Sequence, residues 1–209
     1  MENNDLPFGK RMTFMLLGVL GMGVFLSFLL KVGYGSDTSS FMNTSLAVRF
    51  ELSFGTLMVL SNGIQLIPEI IWGRKLIGIG TVANMTIIGY TSDFCTMLEE
   101  RYLPEIIFTS QPYRSLTFAI ALLLFLISAA LYMNAGLGLA PFDSIPTMVS
   151  SHTHLPFFIV RIIWDFTAIL IGVLAGGHLT IGTVILAFTV GPAVSWIGRI
   201  MSGKKPCHR

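Results

Sequence analysis

Six apolar stretches of helical length run along the chain: Thr13–Leu30, Phe54–Trp72, Leu76–Thr91, Leu116–Tyr132, Phe157–Ala175 and Ile181–Ile200. A bilayer's hydrocarbon core is about 30 Å thick and a helix rises about 1.5 Å per residue, so a span takes about 20 residues. Six such spans with their connections use nearly all of 209 residues and leave no room for a separate soluble domain. The first and fourth stretches are the most apolar. The second is the weakest, because it carries Asn62, Gln65, Pro68 and Glu69. Gly73-Arg74-Lys75 joins it to the third as a tight helical hairpin. The connections Thr38–Ser53 and Pro141–His154 mix apolar with polar positions, and each reads as a short interfacial or re-entrant helix.

Composition agrees with the pattern. Hydrophobic residues make up 53% of the chain and charged residues 11%, against about a quarter charged in a soluble domain. The expected surroundings are therefore a lipid bilayer. Lys10 and Arg11 precede the first apolar run in the manner of a signal peptide. That run exceeds the roughly 7–15 residues of a signal core and no convincing cleavage site follows it, so it reads as a retained span. Lys10, Arg11, Arg74, Lys75, Arg199, Lys204, Lys205 and Arg209 fall on one side, and Lys31, Arg49, Arg101 and Arg114 on the other. That asymmetry predicts both termini in the cytoplasm. A net charge of +2 is too small to imply a nucleic-acid partner. The same topology puts Cys95 and Cys207 on opposite sides of the membrane, as two free thiols.

The chain also resembles itself. Gly33-Tyr34-Gly35 aligns with Gly136-Leu137-Gly138, and Ile79-Gly80-Thr81-Val82 with Ile181-Gly182-Thr183-Val184, at nearly the same displacement. Arg11 and Arg114 precede the first span of each copy, and Gly89 and Gly191 follow in register. The copies cover about 11–95 and about 114–200, with a linker over 96–113 and a basic tail over 201–209. Each holds three spans, and the linker carries Glu99, Glu100, Arg101 and Glu105, which keep it from crossing. An odd number of spans makes the second copy run opposite to the first. The expectation is an all-α membrane protein of two inverted three-helix repeats, an arrangement used by secondary transporters.

Ionisable groups inside the membrane cost several kcal/mol by insertion scales and usually face partners or water. Arg161 and Asp165 lie four apart on one helix and can pair there. Glu69 lies near the end of its span, where it can also snorkel toward the headgroups. Asp165 occupies the position in its copy that Asn62 holds in the first, so a pseudo-two-fold axis brings both to similar depth. The candidate substrate site is therefore Asn62, Gln65, Glu69, Arg161 and Asp165. Asp143 or Ser144 reads as the cap of a short helix after the glycine loop, and Gly191-Pro192 as a kink in the last span. His152 and His154 are two apart and would not share a helix face, and His178 is expected across the membrane from them, so no metal site is expected; neither a nucleophile–base pair nor a phosphate loop is evident. No cofactor and no enzymatic activity are expected.

At these residues the chain resembles the YczE/YyaS/YitT-like group of bacterial integral membrane proteins. The resemblance rests on Gly136-Leu137-Gly138 leading into Pro141-Phe142-Asp143, Arg161 with Asp165, Gly176-Gly177, Ile181-Gly182-Thr183 and Gly191-Pro192. In the first copy it rests on Gly78-Ile79-Gly80-Thr81-Val82 and Gly89-Tyr90. Members typically have tryptophan at the place of Phe142. The resemblance implies a bacterial inner-membrane protein of uncharacterised activity and assigns no substrate. The function expected first is transport of a small molecule or ion, and second a non-transporting membrane accessory or regulatory role. A chain of this size is also compatible with a homodimer.

Overall fold

The computed structural model describes residues 7–189, which are helical with short connections and contain no strand. In order they form α1 (Phe8–Val32), α2 (Thr38–Phe50), α3 (Phe54–Trp72), a 3-10 turn (Arg74–Leu76) and α4 (Ile79–Tyr102). The short α5 (Ile106–Thr109), then α6 (Tyr113–Ala135), α7 (Pro141–Thr153) and α8 (Phe157–Leu174) follow. Residues 181–189 are again helical. The rest of the sixth expected span, the Gly191-Pro192 kink, Cys207 and the basic tail lie outside the described residues. Four helices, α1, α3, α6 and α8, are long and apolar enough to cross a membrane. The third expected span differs most, because α4 starts at Ile79 and runs past Thr91 to Tyr102. Its 24 residues give it the length to cross, but Asn84, Asp93, Glu99, Glu100 and Arg101 dilute its hydropathy.

The faces of α3 explain its weak apolar signal. Ile64, Ile67 and Ile71 are well over half exposed, while Asn62, Gln65 and Glu69 are buried. On α8, Ile163, Phe166 and Leu170 point outward and Asp165, Ala168 and Gly172 inward. Apolar side chains out and polar ones in is the reverse of a soluble helix, and it fits helices whose solvent is lipid.

At the centre, α1 lies antiparallel against α6. Arg11 at the start of α1 donates from Nε to Ala135 O (2.8 Å) and from Nη2 to Gly136 O (2.6 Å) at the end of α6. Arg114, near the start of α6, donates from Nε (3.0 Å) and Nη2 (2.7 Å) to Val32 O at the end of α1. Each guanidinium satisfies carbonyls that a helix end leaves without partners. Gly18 permits the close approach, since a Cβ there would sit 2.6 Å from Tyr132 N and 2.7 Å from Ser128 O. Met15, Val19, Leu26, Leu29, Ala121, Phe125, Tyr132 and Ala135 fill this seam, with Met58, Ala83 and Ile88 packed on it from α3 and α4.

The elements recur at a displacement of 103 residues. Arg11 and Arg114 are so related, as are the starts of α2 and α7 at Thr38 and Pro141 and those of α3 and α8 at Phe54 and Phe157. Gly33 (φ 71°) and Gly136 (φ 60°) both end their helices in the left-handed region that favours glycine. The pairing is exchanged between the copies: α2 packs on α8, with Phe41 against Gly172, and α7 packs on α3, with Ser144 against Glu69.

Candidate functional site

The site grows from α2 and α7. Each has 13 residues, about 20 Å of helix, which is too short to cross the bilayer. Along α2, Thr38 meets Asp165 near the middle of α8, Phe41 meets Gly172, and Ser45 meets Gly177 beyond its end. Along α7, Ser144 meets Glu69 and Met148 meets Gly73. Both short helices therefore start alongside a long helix and run with it toward its C-terminal end. Their N-termini converge, and the charged residues gather there.

Asp165 is 5% exposed. It accepts from Thr38 Oγ1 (2.7 Å) and from Arg161 Nε (2.8 Å). Arg161 also donates from Nη1 to Asp143 Oδ1 (2.6 Å), so one guanidinium bridges two carboxylates. The Phe142 ring lies 5.5 Å from the guanidinium carbon and packs on Trp164. Asp37 caps α2 by accepting from Ser40 N (3.1 Å). Burial pushes its carboxyl up, and Ser40 pulls it down; Asp143 and Arg161 act on it at longer range with opposite signs. The α7 N-cap is Ala140, which makes no side-chain cap bond, and Asp143 and Ser144 stand in the first turn. Their side chains go to Arg161 and Glu69, so the capping role expected for them is replaced by tertiary contacts.

The α3 side of the site is a stripe of Asn62, Gln65 and Glu69, spaced three and four apart on one face. Glu69 is fully buried and accepts from Ser144 Oγ (2.6 Å) through Oε1, so it does not snorkel to the headgroups. Asn62 Nδ2, Gln65 Oε1 and Glu69 Oε2 are buried without a hydrogen-bond partner among the described residues. Three such atoms on one stripe are costly in a packed interior unless something else meets them. Thus the expected Arg161–Asp165 pair forms, and Asn62 and Asp165 both lie inside the protein. Among the described residues no hydrogen bond joins the α3 stripe directly to that pair. The bridge runs through α7, where neighbouring Asp143 and Ser144 touch Arg161 and Glu69. Sequence reasoning missed Thr38, Asp37 and the pairing of Asp143. Asp143 lies 18 residues from Arg161, so no local spacing signals the pair.

The two copies differ in how they close. A cavity of about 290 Å³ opens between the end of α1, α2 and the 175–183 turn, lined by Leu29, Ser36, Phe41, Thr44, Ser45, His178 and Thr183 among others. Ser36 on its wall adjoins Asp37. At the equivalent place in the other copy, Gly80 N donates to Leu137 O (2.8 Å) and Leu139 N to Leu76 O (3.0 Å). Tyr132 Oη there donates toward Gly80 O and Gly138 O, and Met148 lies against Gly73. Among the described residues no backbone bond joins the loops around Gly35 and Gly182, although they touch, since a Cβ on Gly182 would clash with Tyr34 O and one on Gly35 with Thr183 N.

Relatives give a family and no activity. An uncharacterised protein of Haemophilus influenzae is 25% identical over 187 residues, which cover 89% of this chain and 81% of that protein. No solved structure matches the chain. The family of unknown function DUF6198 matches residues 9–199, nearly the whole chain. The chain belongs to the DUF6198 family.

Proposed function

We propose that the protein is a transporter of a small molecule or ion, built from two inverted three-span halves with its polar site near the midplane. The spans would be α1, α3 and α4 in one half, and α6, α8 and the helix beginning at residue 181 in the other. Antiparallel contact of α1 with α6 and the reciprocal arginine caps support the inversion. Arg11 and Arg114 are both engaged as caps, one on each side. Setting them aside leaves seven Lys and Arg against three, and the asymmetry still favours a bacterial cytoplasmic membrane with both termini inside. On the motif residues, the chain also fits the YczE/YyaS/YitT-like group.

The observation that carries the transport reading is the convergence of two half-helix N-termini on the Asp143–Arg161–Asp165 cluster, with a cavity along α2 in one copy and backbone bonds across the matching place in the other. Inverted repeats with broken helices alternate access by rocking about such a site. In that mechanism Asp165 and Asp143 hold Arg161 at the pivot, and the backbone bonds of the Gly80–Leu137 closure break as the cavity along α2 closes. The accessory reading is favoured by one feature, the largely apolar lining of the 290 Å³ cavity, which also suits a lipid tail or a partner helix. Proteoliposome flux with a broad solute panel separates the two. Transport predicts saturable uptake by wild type that is lost in Asp165→Asn and Arg161→Ala. Uptake no greater than in empty vesicles across the panel rejects it.

A further inference from the structure

Half-helix N-termini ordinarily attract anions, because their unpaired N–H groups and dipoles present positive charge. Here the protein supplies the negative charge itself. Asp37 caps α2, Asp143 stands in the first turn of α7, and Asp165 accepts from the first turn of α2 through Thr38. Arg161 is engaged by two of these carboxylates. Glu69 forms no ion pair with any described residue, is fully buried, and leaves Oε2 without a partner. One helical turn away, Gln65 is 9% exposed and leaves Oε1 without a partner. Residues four apart on a helix share one face, so two buried oxygen acceptors stand on the α3 face that meets Ser144, with the amide donor of Asn62 one turn further along. An anion would meet a carboxylate and a carbonyl oxygen there, while a cation would meet two ligands of the kind hard cations prefer.

We propose, building on the transport reading, that the solute is a small monovalent cation, an alkali metal or ammonium-type ion, held by Glu69 Oε2 and Gln65 Oε1 between α3 and α7. Oxygen ligation is common to both sources of the charge, and the experiment separates them. Purified full-length protein in detergent is titrated with sodium, potassium, ammonium and methylammonium chlorides while thermal unfolding is followed. Choline chloride and choline phosphate serve as the anion arms. A ligand that binds only the folded state raises the transition temperature saturably. At least one small cation should do so for wild type, and Glu69→Gln should abolish the shift. Glu99→Gln, which alters a buried carboxylate on Ser27 at the far end of α4, should retain it. Labelling of wild-type Glu69 by a hydrophobic carbodiimide, read by mass spectrometry, gives a second measurement that needs no variant. The same cation should slow labelling at Glu69 and leave Glu99 unaffected.

A shift with choline phosphate only, a cation shift that survives Glu69→Gln, no cation shift, or labelling that responds to pH but to no cation each overturns the proposal. Cation binding without flux in proteoliposomes rejects the transport reading and leaves the cation site standing. Flux of a neutral or anionic solute without any cation effect does the reverse.

Discussion

Arg161→Met removes the guanidinium that bridges Asp143 and Asp165 while keeping a long apolar stem. Two charge-assisted hydrogen bonds are lost, at 2.6 and 2.8 Å. Such bonds contribute about 1.5–3 kcal/mol each, and a buried charge left without its partner costs about 3–5 kcal/mol. The two halves of the bridge are not equal. The Asp165 side chain is 7% exposed, but that of Asp143 is 38% exposed and so less enclosed by the protein. Discounting the Asp143 half leaves a cost of roughly 2–4 kcal/mol, dominated by the stranded Asp165 carboxylate. That origin has a signature. If Asp165 is the stranded group, adding Asp165→Asn to Arg161→Met should recover about half of the loss, because the neutral amide still bonds Thr38. Reversible unfolding of the purified protein in mixed micelles measures both differences. A single-variant loss below about 1 kcal/mol would refute the buried bridge. So would a double variant whose loss equals the sum of the two single losses, since independent sites add and coupled ones do not.

Arg11→Ala and Arg114→Ala should each destabilise by about 1–2 kcal/mol in the same micelle assay, and the losses should add, because the two caps sit at opposite ends of the α1–α6 pair. Gly18→Ala forces α1 away from α6 and should cost about 1–3 kcal/mol, whereas Gly63→Ala has open space around its new Cβ and should stabilise α3 by about 0.5–1 kcal/mol.

What the sequence reveals and what it hides have physical reasons. Runs of about 20 apolar residues are a strong signal because lipid dictates both their length and their chemistry. Helices α1, α3, α6 and α8 accordingly stand within a few residues of their expected limits. The end of α4 is hidden because Asp93, Glu99 and Arg101 look like a loop. Asp93 accepts from Gly55 N (2.8 Å) and Glu99 accepts from Ser27 Oγ (2.6 Å), contacts that only the folded chain supplies. Arg161 with Asp165 is legible, since a spacing of four is a local rule. Asp143 and Thr38 are not, because they reach the pair from other helices. The repeat points to Asn62 as the equivalent of Asp165, yet the polar groups themselves are not symmetric. Glu69 corresponds to Gly172, each 103 residues from its mate, so one half holds a carboxylate where the other holds an aromatic contact with Phe41.

Solute counterflow reads alternate exposure of the site to the two sides of the membrane. Proteoliposomes loaded with a high concentration of the unlabelled monovalent cation that stabilises the protein are diluted into a trace of labelled ion. Wild type should give a transient overshoot of label, the mark of a site exposed alternately to the two sides, and Asp165→Asn none. Label that enters without overshoot, or an overshoot unchanged in Asp165→Asn, would contradict alternating access at the site between α2, α3, α7 and α8.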